Sequence, residues 1–179
     1  MSFTYNAVAG GTTMRSGHRY VGGVPNDTYT RTRAFLKFNL SPLALTLAQI
    51  GVVTLRVYAK TVFSGPTIHR LRFGDAGDNW GALIDATDAD WLSTDVYIEE
   101  EKLVNATGWW EFVVDKNHLN LSGMNYFRIA TLNETAVSYE YVDWYSQNSA
   151  INKPVLRICS AVAAFVPRRP LSLLDRCLR

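Results

Sequence analysis

Cysteine is scarce in this chain of 179 residues: there are two, Cys159 and Cys177, both near the C-terminus. A disulfide scaffold would carry them through its body, so the core has to be held by other means. The pair reads as two free thiols, with a bridge between them as the alternative. Long hydrophobic runs are missing too. None approaches the roughly 20 apolar residues a helix needs to cross a bilayer, so no membrane span is expected. The opening MSFTYNAVAGGTTMRSGHRY has no basic region ahead of an apolar stretch and shows no recognisable signal peptide. Either the mature chain begins at Met1 and is made without secretion, or a leader has been lost. An excess of one charge is also absent, with 18 Lys and Arg against 16 Asp and Glu. That balance is no footprint for nucleic acid. The three histidines, His18, His69 and His118, stand at no metal-ligand spacing and read as solvated or strand-end residues. Ser16 and His18 can be drawn into a triad with a distant Asp, but no strand, sharp turn and helix surrounds a nucleophile there.

What the chain does have is alternation. In RAFLKFNL, Ala34, Leu36, Phe38 and Leu40 alternate with Arg33, Phe35, Lys37 and Asn39. In VTLRVYAK, Val53, Leu55, Val57 and Ala59 alternate with Thr54, Arg56, Tyr58 and Lys60. Period two marks half-buried strands, and an apolar sheet face needs a second layer over it. The rest of the chain supplies more strands rather than long amphipathic helices, which predicts a sandwich. At 47% hydrophobic content the chain can bury one core,.

Before Arg33 the sequence predicts one or two short strands, around Phe3–Val8 and His18–Val21, among Gly-rich loops. Pro42 ends the Arg33–Leu40 strand, and Leu43–Gln49 reads as a short helical turn. Further strands are predicted at Val52–Lys60, Thr67–Phe73, Val96–Glu101, Trp109–Asp115, Tyr126–Thr131, Val137–Ser146 and Pro154–Cys159. About eight to ten short strands at this spacing fit an all-β, jelly-roll-like antiparallel β-sandwich over residues 1–158. Residues 159–179 break the pattern and read as a C-terminal tail, or as an arm docking a neighbouring subunit through Leu171, Leu174 and Leu178.

Six short signatures stand in order: RAFLKFNLS from Arg33, VVTLRVYAK from Val52, a loop tryptophan at Trp80, GWWEFVVD from Gly108, SGMNYFRIA from Ser122, and WYSQNSAINKPVLRI from Trp144 to Ile158. In that order and spacing, the chain from about Val21 to Ile158 resembles the DNRLRE-type domain. This is a β-sandwich similar to alginate-binding carbohydrate-binding modules, found in secreted and cell-surface proteins and in some phage proteins. The resemblance implies a jelly roll with a non-catalytic binding or structural role. The chain departs from the family in showing no secretion signal and no attached enzyme or repeat domain. A small member of this kind is what a virion component would look like.

If the inward residues are those of the alternation, Tyr58, Trp109, Tyr126, Tyr141 and Tyr145 face outward, together with Arg56, Arg128 and Lys37. Sugars present apolar C–H faces that stack on aromatic rings, and their hydroxyls or carboxylates accept hydrogen bonds from Arg. Tyr58, Trp109, Tyr126, Arg128, Tyr141 and Tyr145 are therefore the candidate glycan-binding residues, with packing under a loop or a subunit as the bland alternative. The acidic loop carrying Asp75, Asp78, Asp85, Asp88 and Asp90 reads as solvated. A structural Ca²⁺ is the second reading and a carboxylate pair for glycoside hydrolysis the third. No other cofactor is expected. Glu99, Glu100 and Glu101 read as a charged edge that discourages strand addition. Sequons recur at Asn26, Asn39, Asn105, Asn120 and Asn133 and imply glycosylation only in a secreted eukaryotic setting. Together these readings predict a non-enzymatic surface component of a larger assembly, a virion fibre or decoration protein in contact with glycan. It would sit at a virion or extracellular surface, with other subunits and polysaccharide as partners and homo-oligomer as its state. The alternative is a secreted carbohydrate-binding module.

Overall fold

The computed structural model describes residues 2–4, 11–21, 28–63, 65–74, 97–132, 140–161 and 177–178. Within them the chain is all-β. Its strands are β1 (Ser2–Thr4), β2 (Thr13–Val21), β3 (Thr28–Thr32), β4 (Ala34–Asn39), β5 (Ile50–Phe63), β6 (Thr67–Gly74), β7 (Tyr97–Val104), β8 (Gly108–Val114), β9 (Met124–Thr131), β10 (Glu140–Tyr145), β11 (Val155–Ser160) and β12 (Cys177–Leu178). The acidic loop, its five aspartates and Trp80 and Trp91 lie outside the described residues, as do Asn26, Asn133, Leu171 and Leu174.

Two sheets form the layers of a β-sandwich. The smaller runs β4-β9-β6-β7, and the larger holds β1, β3, β2, β10, β5, β8, β11 and β12. Their ladders are antiparallel except for the short β1–β3 pair. Successive strands change sheet at most connections, as in a jelly roll. β5 organises the larger sheet because, at 14 residues, it is long enough to serve three partners. Its residues Val53 to Arg56 pair with both β11 and β8, and Ala59 pairs with both Trp144 and Gly108. β8 therefore occupies one edge, while β10 and β11 follow one another along the opposite edge. The register slips between Asp143 and Trp144, leaving Lys60 as the extra residue of a β-bulge,. Gly17 permits the close approach of β2 to β10, since a Cβ there would lie 2.3 Å from the Glu140 carbonyl oxygen.

The alternation behaves as the sequence predicts. Leu36, Leu55, Val57, Phe112, Phe127, Ile129, Val142 and Trp144 share one interior, with Phe38 and Trp110 packed against it. Each such side chain removed from water contributes roughly 1.5–3 kcal/mol, which is what holds the two sheets together. The predicted helical turn appears as two 3₁₀ turns, Ser41–Leu43 and Leu47–Gln49, the first opened by Pro42.

Two expectations change. His18 and His69 are buried rather than solvated, because each falls in the inward phase of its strand. The glutamate run lies on β7, an edge strand of the smaller sheet, from which Glu99 and Glu100 reach across to β8. The free-thiol reading also fails: Cys159 is disulfide-bonded, and the chain's one other cysteine, Cys177, stands directly opposite it in the β11–β12 pairing.

Candidate functional site

The outer face of the larger sheet carries the best-formed surface constellation. Residues with odd and even phase on β5, β8 and β10 place Tyr145, Tyr58 and Trp109 in a lateral row across three strands, because Tyr58 pairs with Trp109 and Tyr145 follows the pair Trp144–Ala59. The Tyr58 and Trp109 rings meet at 5.3 Å and 86°, and Tyr58 and Tyr145 at 5.6 Å and 49°. Trp109 is 38% exposed, a large apolar surface left in water.

Cations flank this row. The Arg56 guanidinium lies 4.3 Å from the Trp109 ring centre and its Nε is 3.2 Å from Glu111 Oε1. Arg157 reaches the same carboxylate oxygen from β11, at 3.3 Å. One acid thus fixes two arginines, and the stacking of Arg56 adds about 0.5–1 kcal/mol at so exposed a site. Lys60, turned by the bulge, brings its ammonium to 5.8 Å from the Tyr145 ring. The outward phase of Glu111 is legible in the sequence, but nothing local signals the bulge at Lys60 or the approach of Arg157 from a distant strand.

Tyr141 lies on the same outer face but in a different setting. Its ring stacks on Phe63 at 4.9 Å and 5°, while the Arg15 guanidinium sits 3.8 Å from its centre. Arg15 is held by both oxygens of Asp143, at 2.6 and 2.9 Å. Because Phe63 comes from β5 and Arg15 from β2, on opposite sides of β10, both faces of Tyr141 are already taken. Tyr126 and Arg128 are elsewhere. They belong to β9 of the smaller sheet, in the phase opposite to Phe127 and Ile129, and so face away from the other four residues across the sandwich. Arg128 is fully buried, beside Arg72 and Phe35 in register. The six candidate residues therefore divide into a row of three, a packed tyrosine and a pair on the other sheet.

Two polar clusters lie elsewhere. In the interior, Trp144 Nε1 donates to Ser16 Oγ at 2.7 Å, and Ser16 Oγ lies 3.0 Å from His69 Nδ1. Ser16 comes from the larger sheet and His69 from the smaller, so the bond ties the layers. Both are fully buried, and burial pushes the His69 imidazole down to about 3. Ser16 thus meets His69 inside the sandwich. At the β7–β8 margin, Glu99 accepts from the Asp115 N–H at 2.6 Å and contacts His118 Nδ1 at 2.6 Å, while Glu100 accepts from the Val113 N–H at 2.5 Å. These carboxylates satisfy donors on the outer edge of β8 that no strand pairs. Asp115 is held below the usual carboxylate range, chiefly by the backbone N–H of Asn117.

Among known proteins, no protein-family model matches the chain and no curated protein matches it.

Proposed function

We propose that the chain is a non-catalytic β-sandwich module that serves as a surface component of a larger assembly, a virion fibre or decoration protein, and contacts glycan through the Tyr145, Tyr58 and Trp109 row. The observation that carries the reading is this outward aromatic row, with Trp109 exposed and Tyr58 and Tyr145 half-buried, flanked by Arg56 and Lys60. Ring faces and edges take the C–H surface of a sugar, and the flanking cations supply N–H donors to its oxygens. The sequence resemblance to DNRLRE-type domains supports the same role. The disulfide at Cys159 fits an oxidising exterior, which virion surfaces and secreted proteins share,. It therefore also supports the rival reading, a secreted carbohydrate-binding module.

Screening the protein on a glycan array tests the contact. Retention should fall about tenfold in Trp109→Ala, the scale of one aromatic contact, with the variant still folding cooperatively. Equal retention by wild type and Trp109→Ala would remove this face from consideration. Native mass separates the two settings: an oligomer supports the assembly component, and a monomer the secreted module.

A further inference from the structure

We infer that the interior holds a binding site for one water molecule, which bridges His69 Nε2 and Thr131 Oγ1 and completes a hydrogen-bonded chain between the two sheets. Two buried polar atoms carry this. His69 on β6 and Thr131 on β9 stand directly opposite each other in their ladder, in the same inward phase as Leu71 and Ile129. Their relative exposures are 0% and 4%. Neither His69 Nε2 nor Thr131 Oγ1 has a hydrogen-bond partner among the described residues. Opposed side chains on neighbouring strands have Cβ atoms about 4.5–5.5 Å apart, a separation that one water can span. A buried polar group left unsatisfied bears its full desolvation cost, and water is the smallest molecule that accepts from one such group and donates to another.

The proton positions follow from the other side of the imidazole. Ser16 Oγ accepts from Trp144 Nε1 at 2.7 Å and lies 3.0 Å from His69 Nδ1. An indole N–H only donates, so the one proton of the Ser16 hydroxyl is left for His69. If Nδ1 carried a proton instead, Ser16 would accept twice and its own proton would lack an acceptor in a fully buried place,. His69 is therefore a neutral imidazole with its proton on Nε2, and that N–H donates to the water. The water in turn donates to Thr131 Oγ1. A protonated Nε2 has no lone pair to offer a metal ion, so the occupant is a neutral molecule with both a donor and an acceptor. The chain then runs from Trp144 and Ser16 in the larger sheet to His69 and, through the water, to Thr131 in the smaller.

Two measurements on the full chain test this. Long-range proton–nitrogen NMR at neutral pH should show His69 with its proton on Nε2, and a high-resolution crystal structure should place a water oxygen about 2.7–3.2 Å from both Nε2 and Oγ1. Thr131→Val, which keeps the shape of the side chain without its hydroxyl, should lose that water, whereas Thr131→Ser should keep it. A proton on Nδ1 would overturn the chain as drawn. So would density showing Nε2 and Oγ1 in direct contact, no water between them, or a water that persists unmoved in Thr131→Val.

Discussion

At the scale of single residues, His69 governs how this sandwich meets acid. Its folded-state value of about 3 lies below the ordinary 6.5, so the unfolded chain binds a proton that the folded chain refuses. Stability is then complete above pH 6.5 and is lost as the pH falls toward 3. Between pH 7.5 and 4.5 the loss from this group is about 3 kcal/mol. Urea unfolding at the two values should show it, and His69→Asn should remove most of the difference while carboxylate contributions persist. An unaltered pH dependence in the variant would mean that the histidine takes up its proton as readily in the folded state as in the unfolded chain. Two outward aromatics make a contrast at the same scale. Trp109→Ala removes a ring that is 38% exposed and touches Tyr58 and Arg56 from the solvent side, and should cost about 1 kcal/mol,. Tyr141→Ala strips a ring enclosed between Phe63 and Arg15 and should cost about 1–3 kcal/mol by the same urea unfolding,. Tyr141 is thus an unsuitable probe of binding.

At the scale of elements, the margin where β7 meets β8 is closed by side chains rather than by a strand. Glu99, with its side chain 2% exposed, and Glu100 take the N–H groups of Asp115 and Val113. Glu99→Ala leaves a shielded donor unsatisfied and should destabilise by about 1–3 kcal/mol. Hydrogen exchange should locate the effect, with faster exchange at the Asp115 amide and little change at Val57 in the centre of β5. Uniform protection across both sites would refute the cap. Strands were legible where period two survives, as in Ala34–Asn39 and Ile50–Phe63, whereas Thr28–Thr32 and the start of β2 at Thr13 were not foreseen among the Gly- and Thr-rich residues around them. The glutamates were not, because three acids in a row look alike until a bulge between Leu71 and Arg72 turns one of them inward. The same holds for Lys60, whose direction depends on a register slip set by β10, 80 residues further on. Bulges come from the partner strand and leave no mark in local spacing.

At the scale of the whole molecule, period two tells which residues face out but not onto which sheet a strand is laid. That is why Tyr126 and Arg128, outward in phase, end on the opposite side of the sandwich from Tyr58 and Trp109, and why the six candidate residues do not gather on one face. Pairing across the fold also decides the state of Cys159, which the sequence alone left between thiol and bridge. β12 is two residues long and pairs with β11 at Ile158 and Cys159. So short a strand contributes little by itself. Closing the loop between positions 159 and 177 restricts the unfolded chain by about 3 kcal/mol, so the disulfide accounts for most of the hold on this strand. Intact mass before and after alkylation should find no free thiol. Reduction, or Cys177→Ser, should lower stability by up to that amount and open the C-terminal segment to limited proteolysis. Because β11 keeps its ladder to β5 on its other edge, the body should stay folded, with Tyr58 and Trp109 still paired across β5 and β8. A reduced protein that unfolds outright would show instead that the bridge anchors the larger sheet, with β11 unable to hold its place unaided.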